Sequence, residues 1–156
     1  MAVFAATFTG IAVSAAQDVF ELVASSTKRV FVREVVLGQY SDFGSGASEL
    51  LPISLIRGHT TQGTGGSAVT PGNVSGIAGA GAALCSVTRN NTTIASGGSA
   101  VNLRAESWNI QIPWIWRPIL DEGIILEASQ LLCVRLHSAP ADALTMTGTL
   151  IFEEDF

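Results

Sequence analysis

Between Leu144 and Glu153 the chain alternates in polarity: Leu144, Met146, Leu150 and Phe152 fall on one side, and Thr145, Thr147, Thr149 and Glu153 on the other. Successive side chains of an extended strand point to opposite faces, so a period of two commits this segment to a β-strand with one face in a core. Gly148 falls on the apolar side and is expected to mark a bulge. The same period recurs upstream. Phe4, Ala6 and Phe8 alternate with Ala5, Thr7 and Thr9, and between Val19 and Ala24 the residues Phe20, Leu22 and Ala24 oppose Glu21. From Leu51 to Arg57, Leu51, Ile53 and Leu55 alternate with Pro52, Ser54 and Ile56, and the proline places the start at an edge or strand entry. From Arg29 to Leu37 both faces are apolar except at the neighbours Arg33 and Glu34, which predicts a central strand or one with a covered outer face.

From Trp108 the residues Ile110, Ile112, Trp114 and Trp116 share one face, with Asn109, Gln111, Pro113, Ile115 and Arg117 opposite, predicting one strand that ends at Pro118 and a turn at Asp121-Glu122-Gly123. Ile124 to Ala128 and Leu131 to Leu136 read as two further strands, the second with Leu132, Val134 and Leu136 facing in. Ala83 to Thr88 reads as a short strand, Arg89-Asn90-Asn91 as a turn, and the residues through Gly97-Gly98 as a polar, Gly-rich patch. Gly58 to Gly81 is a long excursion rich in Gly, Ser, Thr and Ala, and loops of that length are commonly functional or mobile. The 156 residues suit one domain with a sizeable core. The expectation is therefore a single all-β domain over 1–156, an antiparallel sandwich or barrel of jelly-roll type with eight or nine short strands, carrying an excursion at 58–81. No segment has the period of an amphipathic helix.

Charged residues make up 13% of the chain and hydrophobic residues 47%. An average soluble domain carries about 25% charged residues, so much of this surface is expected to be covered by partner proteins. The basic residues are Lys28 and seven arginines, and Arg suits protein interfaces better than Lys does. A net charge of −5, with Lys28-Arg29 and Arg33 as the nearest approach to a basic cluster, argues against nucleic-acid binding. The apolar stretch Met1 to Ala16 is interrupted by Thr7, Thr9 and Gly10 and lacks a basic start, so it reads as a first strand rather than a secretory leader. No apolar run approaches the roughly 18 residues that a bilayer-spanning helix needs, and no membrane partner is expected.

Candidate chemistry fails for want of partners. His59 and His137 stand alone, without a G-x-S-x-G elbow, and read as surface or turn residues. Asp121-Glu122 and Glu153-Glu154-Asp155 read as solvated acids, the latter also suited to a basic partner. Gly63-Thr64-Gly65-Gly66 and the glycines from Gly76 to Gly81 lack the following helix and the lysine of a phosphate loop. The sequons at Asn73, Asn90 and Asn91 read as polar turns. Cys85 and Cys133 lack the paired spacing of a zinc site and read as small buried hydrophobes, with a single bridge left open. No enzyme, metal or cofactor is expected. Trp114 and Trp116 read as core, as a subunit interface or as a carbohydrate platform; Arg117, Arg33 and Phe156 join them as candidate interface residues.

The stretch from Ala6-Thr7-Phe8-Thr9-Gly10-Ile11 through Gln17-Asp18-Val19-Phe20-Glu21-Leu22, and the closing Ser138 to Glu154, resemble small structural proteins of tailed bacteriophages, similar to the capsid cement or head decoration proteins. Leu51-Pro52-Ile53, Ile56-Arg57-Gly58 and Asn90-Asn91-Thr92-Thr93 fit the same pattern. The resemblance covers most of the chain but rests on fold-bearing patterns, not chemical motifs. It implies a jelly-roll-like domain that assembles as a homotrimer and binds the major capsid protein on the outer surface of the virion, across capsomer junctions. It carries over no catalytic or ligand residues. Binding of this kind stabilises an assembled shell by mass action, and trimerisation adds avidity. Alternatives are another virion component, such as a head-fibre base or a carbohydrate-binding receptor-recognition domain, and a cupin-type jelly roll, which two isolated histidines disfavour.

Overall fold

The computed structural model describes residues 2–42, 48–76, 81–119 and 122–154. Along these the strands are β1 (Ala2–Val13), β2 (Gln17–Val23), β3 (Val30–Gln39), β4 (Leu50–Arg57), β5 (Ser67–Val69), β6 (Gly72–Asn73), β7 (Ser86–Asn91), β8 (Val101–Asn109), β9 (Trp114–Trp116), β10 (Ile124–Leu126), β11 (Leu131–Leu136) and β12 (Leu144–Glu154). They form two antiparallel sheets packed as a sandwich. Sheet I runs β10-β3-β12-β1-β6, with β9 beside β10 on the same edge of β3; sheet II runs β5-β7-β2-β11-β4-β8.

The pairings nest. β1 pairs with β12, β2 with β11, β3 with β9 and β10, and β4 with β8, so the chain is one long antiparallel double strand rolled into two sheets. That nesting is the jelly roll. Among the described residues twelve strands stand where eight or nine are expected. Eight positions make the roll, with β9 and β10 sharing one and β8 not foreseen; β5, β6 and β7 come from the segment between β4 and β8, where β7 overlaps the strand expected at Ala83 to Thr88.

The alternation seen in the sequence is the alternation of burial. Along β12 every second residue from Leu144 to Glu154 is buried, and Phe152 stacks on Phe4 with ring centroids 5.8 Å apart. Phe8 and Phe20 bring the two sheets together at 5.0 Å, and each such ring removed from water contributes about 1.5–3 kcal/mol. Gly148 lies on the inner face as expected, yet the bulge belongs to β1: Phe8 faces Gly148 and Ile11 faces Met146, so one extra residue enters at Thr9-Gly10, where Gly10 takes φ +71°. Gly148 instead leaves room for two rings, since a Cβ there would overlap Phe8 and come within 2.8 Å of Phe20.

Three segments depart from the expected layout. Trp108 to Arg117 is not one strand: β8 ends at Asn109 in sheet II, Ile112 N–H returns to Asn109 O at 3.1 Å, and the chain crosses to sheet I as β9. Pro113 supplies no ladder donor, and Ile112 is 60% exposed, not on the apolar face. Arg89-Asn90-Asn91 is not a turn but the end of β7, with Asn90 at φ 53°, a conformation Asn tolerates. The 58–81 excursion carries β5 and β6 and is tied to the 92–98 loop by bridges Thr61↔Ser96 and Thr64↔Thr93; residues 77–80 lie outside the described residues.

Candidate interaction surface

Arg33 and Glu34 break the alternation of β3, and the structure accommodates both on the outside. Val32 pairs with Phe152 and Glu34 with Ile151, so Arg33 is an extra residue relative to β12. The bulge turns Val32 and Val35, three apart, both into the core, where neither is exposed. Arg33 and Glu34 then share the outer face of sheet I. Arg33 donates to Glu153 from Nε at 3.0 Å and also from Nη2, and its guanidinium lies 5.7 Å from the Phe31 ring centroid. Glu34 accepts from Arg117 Nη2 at 2.5 Å. Among these neutralised charges stand the apolar side chains of Ile115, 57% exposed, and Ile125, 40% exposed, with half-buried Phe31, Val36 and Ile151. Ile119, 69% exposed, follows on the chain from Arg117.

Beneath this face lie the two tryptophans. Trp114 and Trp116 are buried against the core, and Trp114 Nε1 donates to Glu106 Oε2 of β8 at 3.0 Å. They are core residues at the rim of the sandwich, which removes the carbohydrate-platform reading for this pair. Arg104 holds the Glu106 carboxyl below the ordinary carboxylate range, with the Trp114 indole adding to the effect. At this rim a groove of about 470 Å³ opens between the sheets, lined by Arg57, Leu103, Arg104, Trp116, Pro118 and Ile125. Arg57 Nη1 spans it to Ile125 O at 3.2 Å. Of the sequence-predicted interface residues, the fold thus gathers Arg33 and Arg117 on one surface, places Trp114 and Trp116 underneath it, and leaves Phe156 outside the described residues.

A second constellation was not foreseen. On the opposite face of the molecule, Asp18, Glu21 and Arg135 are buried beneath the loops that leave β4 and β7. Val19 has no counterpart on β11, so Val19 and Phe20 both enter the core while Asp18 and Glu21, three apart, both face out. Arg135 donates to Asp18 through Nε at 2.6 Å and Nη2 at 3.0 Å. Ligand atoms of Asp18, Glu21 and Cys133 lie within 4.8 Å of one another, but Asp18 is bonded to Arg135 and the Ala95 amide, and Glu21 to the Gly63 amide. Burial pushes the Cys133 thiol above its ordinary range, away from the thiolate a metal requires. These donors are committed to holding the loops rather than an ion.

Other readings of single residues change with the structure. Glu153 and Glu154 are not solvated acids: Glu153 is paired with Arg33, and Glu154 is buried, accepting the Leu84 and Cys85 amides at 2.9 and 2.6 Å. Asn90 and Asn91 are buried, not exposed turn residues. Cys85 and Cys133 are free and buried. His59 Nδ1 meets Gly97 O at 3.2 Å. His137 Nε2 sits 2.9 Å from Ser54 Oγ, the spacing of an activated hydroxyl. Ser54 is buried, however, so its hydroxyl is closed off from a substrate in solvent. Asp121 and Asp155 lie outside the described residues. Comparison with protein-family models, with curated proteins and with solved structures returned no match.

Proposed function

We propose that this protein is a capsid cement protein of a tailed bacteriophage, binding the outer surface of the shell as a homotrimer and tying major-capsid-protein capsomers together at their junctions. The observation that carries the protein-binding part is the outer face of sheet I at β9, β10 and β3. There Arg33–Glu153 and Arg117–Glu34 neutralise one another within the chain, so burying these four side chains leaves none of their charges uncompensated. Ile115 and Ile125 project from it. A surface with satisfied charges and protruding apolar side chains suits burial against protein. The low content of charged residues points the same way, and the phage setting follows the resemblance of the two chain ends to cement proteins. Three copies joined about an axis would present three such faces at once, multiplying a modest single-site affinity.

The test is to mix the purified protein with expanded phage capsids lacking their decoration. Saturable binding at a fixed ratio to the major capsid protein, with a higher capsid melting temperature, is expected. Absence of binding, together with binding to a glycan array, would place the protein at a receptor-recognition site instead. Sedimentation of the free and capsid-bound protein checks the trimer.

A further inference from the structure

The segment between β4 and β8 sends two arms, 58–66 and 92–98, across the outer face of sheet II. The bridges Thr61↔Ser96 and Thr64↔Thr93 join them. Each arm is fastened to the sheet through a buried carboxylate. Asp18 Oδ2 accepts the Ala95 amide at 2.7 Å, and Arg135 Nη2 holds the Ala95 carbonyl at 2.9 Å. Glu21 accepts the Gly63 amide on both oxygens, at 2.9 and 3.0 Å. The approach is close enough to exclude side chains: a Cβ on Gly63 would overlap Glu21 Oε1 and Thr93 O, and one on Gly66 would overlap Arg89 O and Asn91 Oδ1. This is the role of the Gly63-Thr64-Gly65-Gly66 run.

We infer that Glu21 is a proton-operated latch: protonated, it keeps the 58–66 arm closed over β2, and on ionising it favours release of that arm into solvent. The groups facing Glu21 are Asp18 on its own strand, Cys133 and Arg135 on β11, Asn91 on β7 and the Gly63 amide of the arm. Arg135 is the cation of this set, and both its bonds to carboxylate go to Asp18. Two ionised carboxylates would therefore bury a net negative charge, whereas one proton bridging Glu21 and Asp18 removes it. The Asn91 and Gly63 donors favour the ionised form, but burial, reinforced by Asp18, outweighs them and pushes the Glu21 carboxyl up to about 6. Opening the arm gives an ionised Glu21 the water that closure denies it.

The experiment is amide hydrogen exchange on the full chain from pH 4.5 to 7.5, corrected for intrinsic rates, followed at Thr61, Gly63 and Thr64, whose amides are bonded to Ser96 O, Glu21 and Thr93 O. Protection of these amides should fall by up to about 30-fold as pH rises through 6, the factor that a shift of 1.5 pH units allows. Amides of β11 should not follow. E21Q, which keeps an acceptor for Gly63 and a donor for Asp18, should hold the arm closed at every pH. H59N, altering the arm's own titratable side chain, should retain the pH dependence. The inference is overturned by flat protection in the unaltered protein, by an equal change throughout β11, by E21Q retaining the dependence, or by H59N losing it. If E21Q does not fold, the Glu21 carboxyl carbon resonance in the unaltered protein decides: a midpoint near 6 coinciding with arm release supports the latch, and one near 4.5 overturns it.

Discussion

Asp18 and Arg135, 117 residues apart in the chain, meet side by side through two hydrogen bonds with the carboxylate wholly buried. The pair joins β2 to β11 and also holds the backbone of Ala95, so it ties the two central strands of sheet II to the arm above them.

Removing one partner leaves the other charge uncompensated. Below about pH 6, where Glu21 holds its proton, R135M should destabilise the fold by about 3–5 kcal/mol, and D18N/R135M should recover part of that loss because no lone charge remains. Urea unfolding of the two single variants and the double variant measures the coupling.

Gly148 faces two rings with no space for a methyl group. G148A should cost about 1–3 kcal/mol by overpacking, and F8L should relieve part of it in the double variant. Thermal melts of the two variants test this; equal stability of G148A and the unaltered protein would contradict it.

Glu21 has its folded-state pKa raised from 4.5 to about 6, chiefly by burial. The folded state therefore holds its proton more tightly than the unfolded state. The resulting stabilisation is fully present below about pH 4.5 and is lost as pH rises through 6, a swing of about 2 kcal/mol. The difference in unfolding free energy between the unaltered protein and E21Q, measured at pH 4.5 and at pH 7.5, should change by about that amount.

The outer face of sheet I should tolerate substitution without loss of fold. I115D and I125D sit at exposed positions and should change stability by no more than about 0.5 kcal/mol, while abolishing binding to capsids. W114F, which removes the donor to Glu106, should instead cost about 1 kcal/mol and leave capsid binding intact. Paired melting and capsid co-sedimentation separate the two outcomes.

What was legible in the sequence follows from what each strand buries. β1 and β12 each bury one face, so their alternation was plain. β8 lies on the edge of sheet II and is largely exposed until Trp108, so nothing in Val101 to Ser107 marked it as a strand. Arg33-Glu34 was visible as a break in the pattern, and a bulge is its physical meaning; Asp18 and Glu21 carry the same signature across Val19-Phe20. The tryptophans were legible as a shared inward face, but Pro113 and the crossing between sheets were needed to see that Trp108 and Trp114 belong to different sheets. The Asp18–Arg135 network was illegible, because it depends on which distant strands become neighbours.

The nested pairing also dictates how this chain must find its structure. Its innermost partners, β4 and β8, are separated by the whole 58–100 segment, and its outermost, β1 and β12, by nearly the full sequence. Few native contacts can form before a large loop has closed, so the entropy of closure is paid early and returned late. Refolding after dilution from urea should take milliseconds to seconds, and the unpaired edges of half-rolled chains are when this protein is most exposed to aggregation.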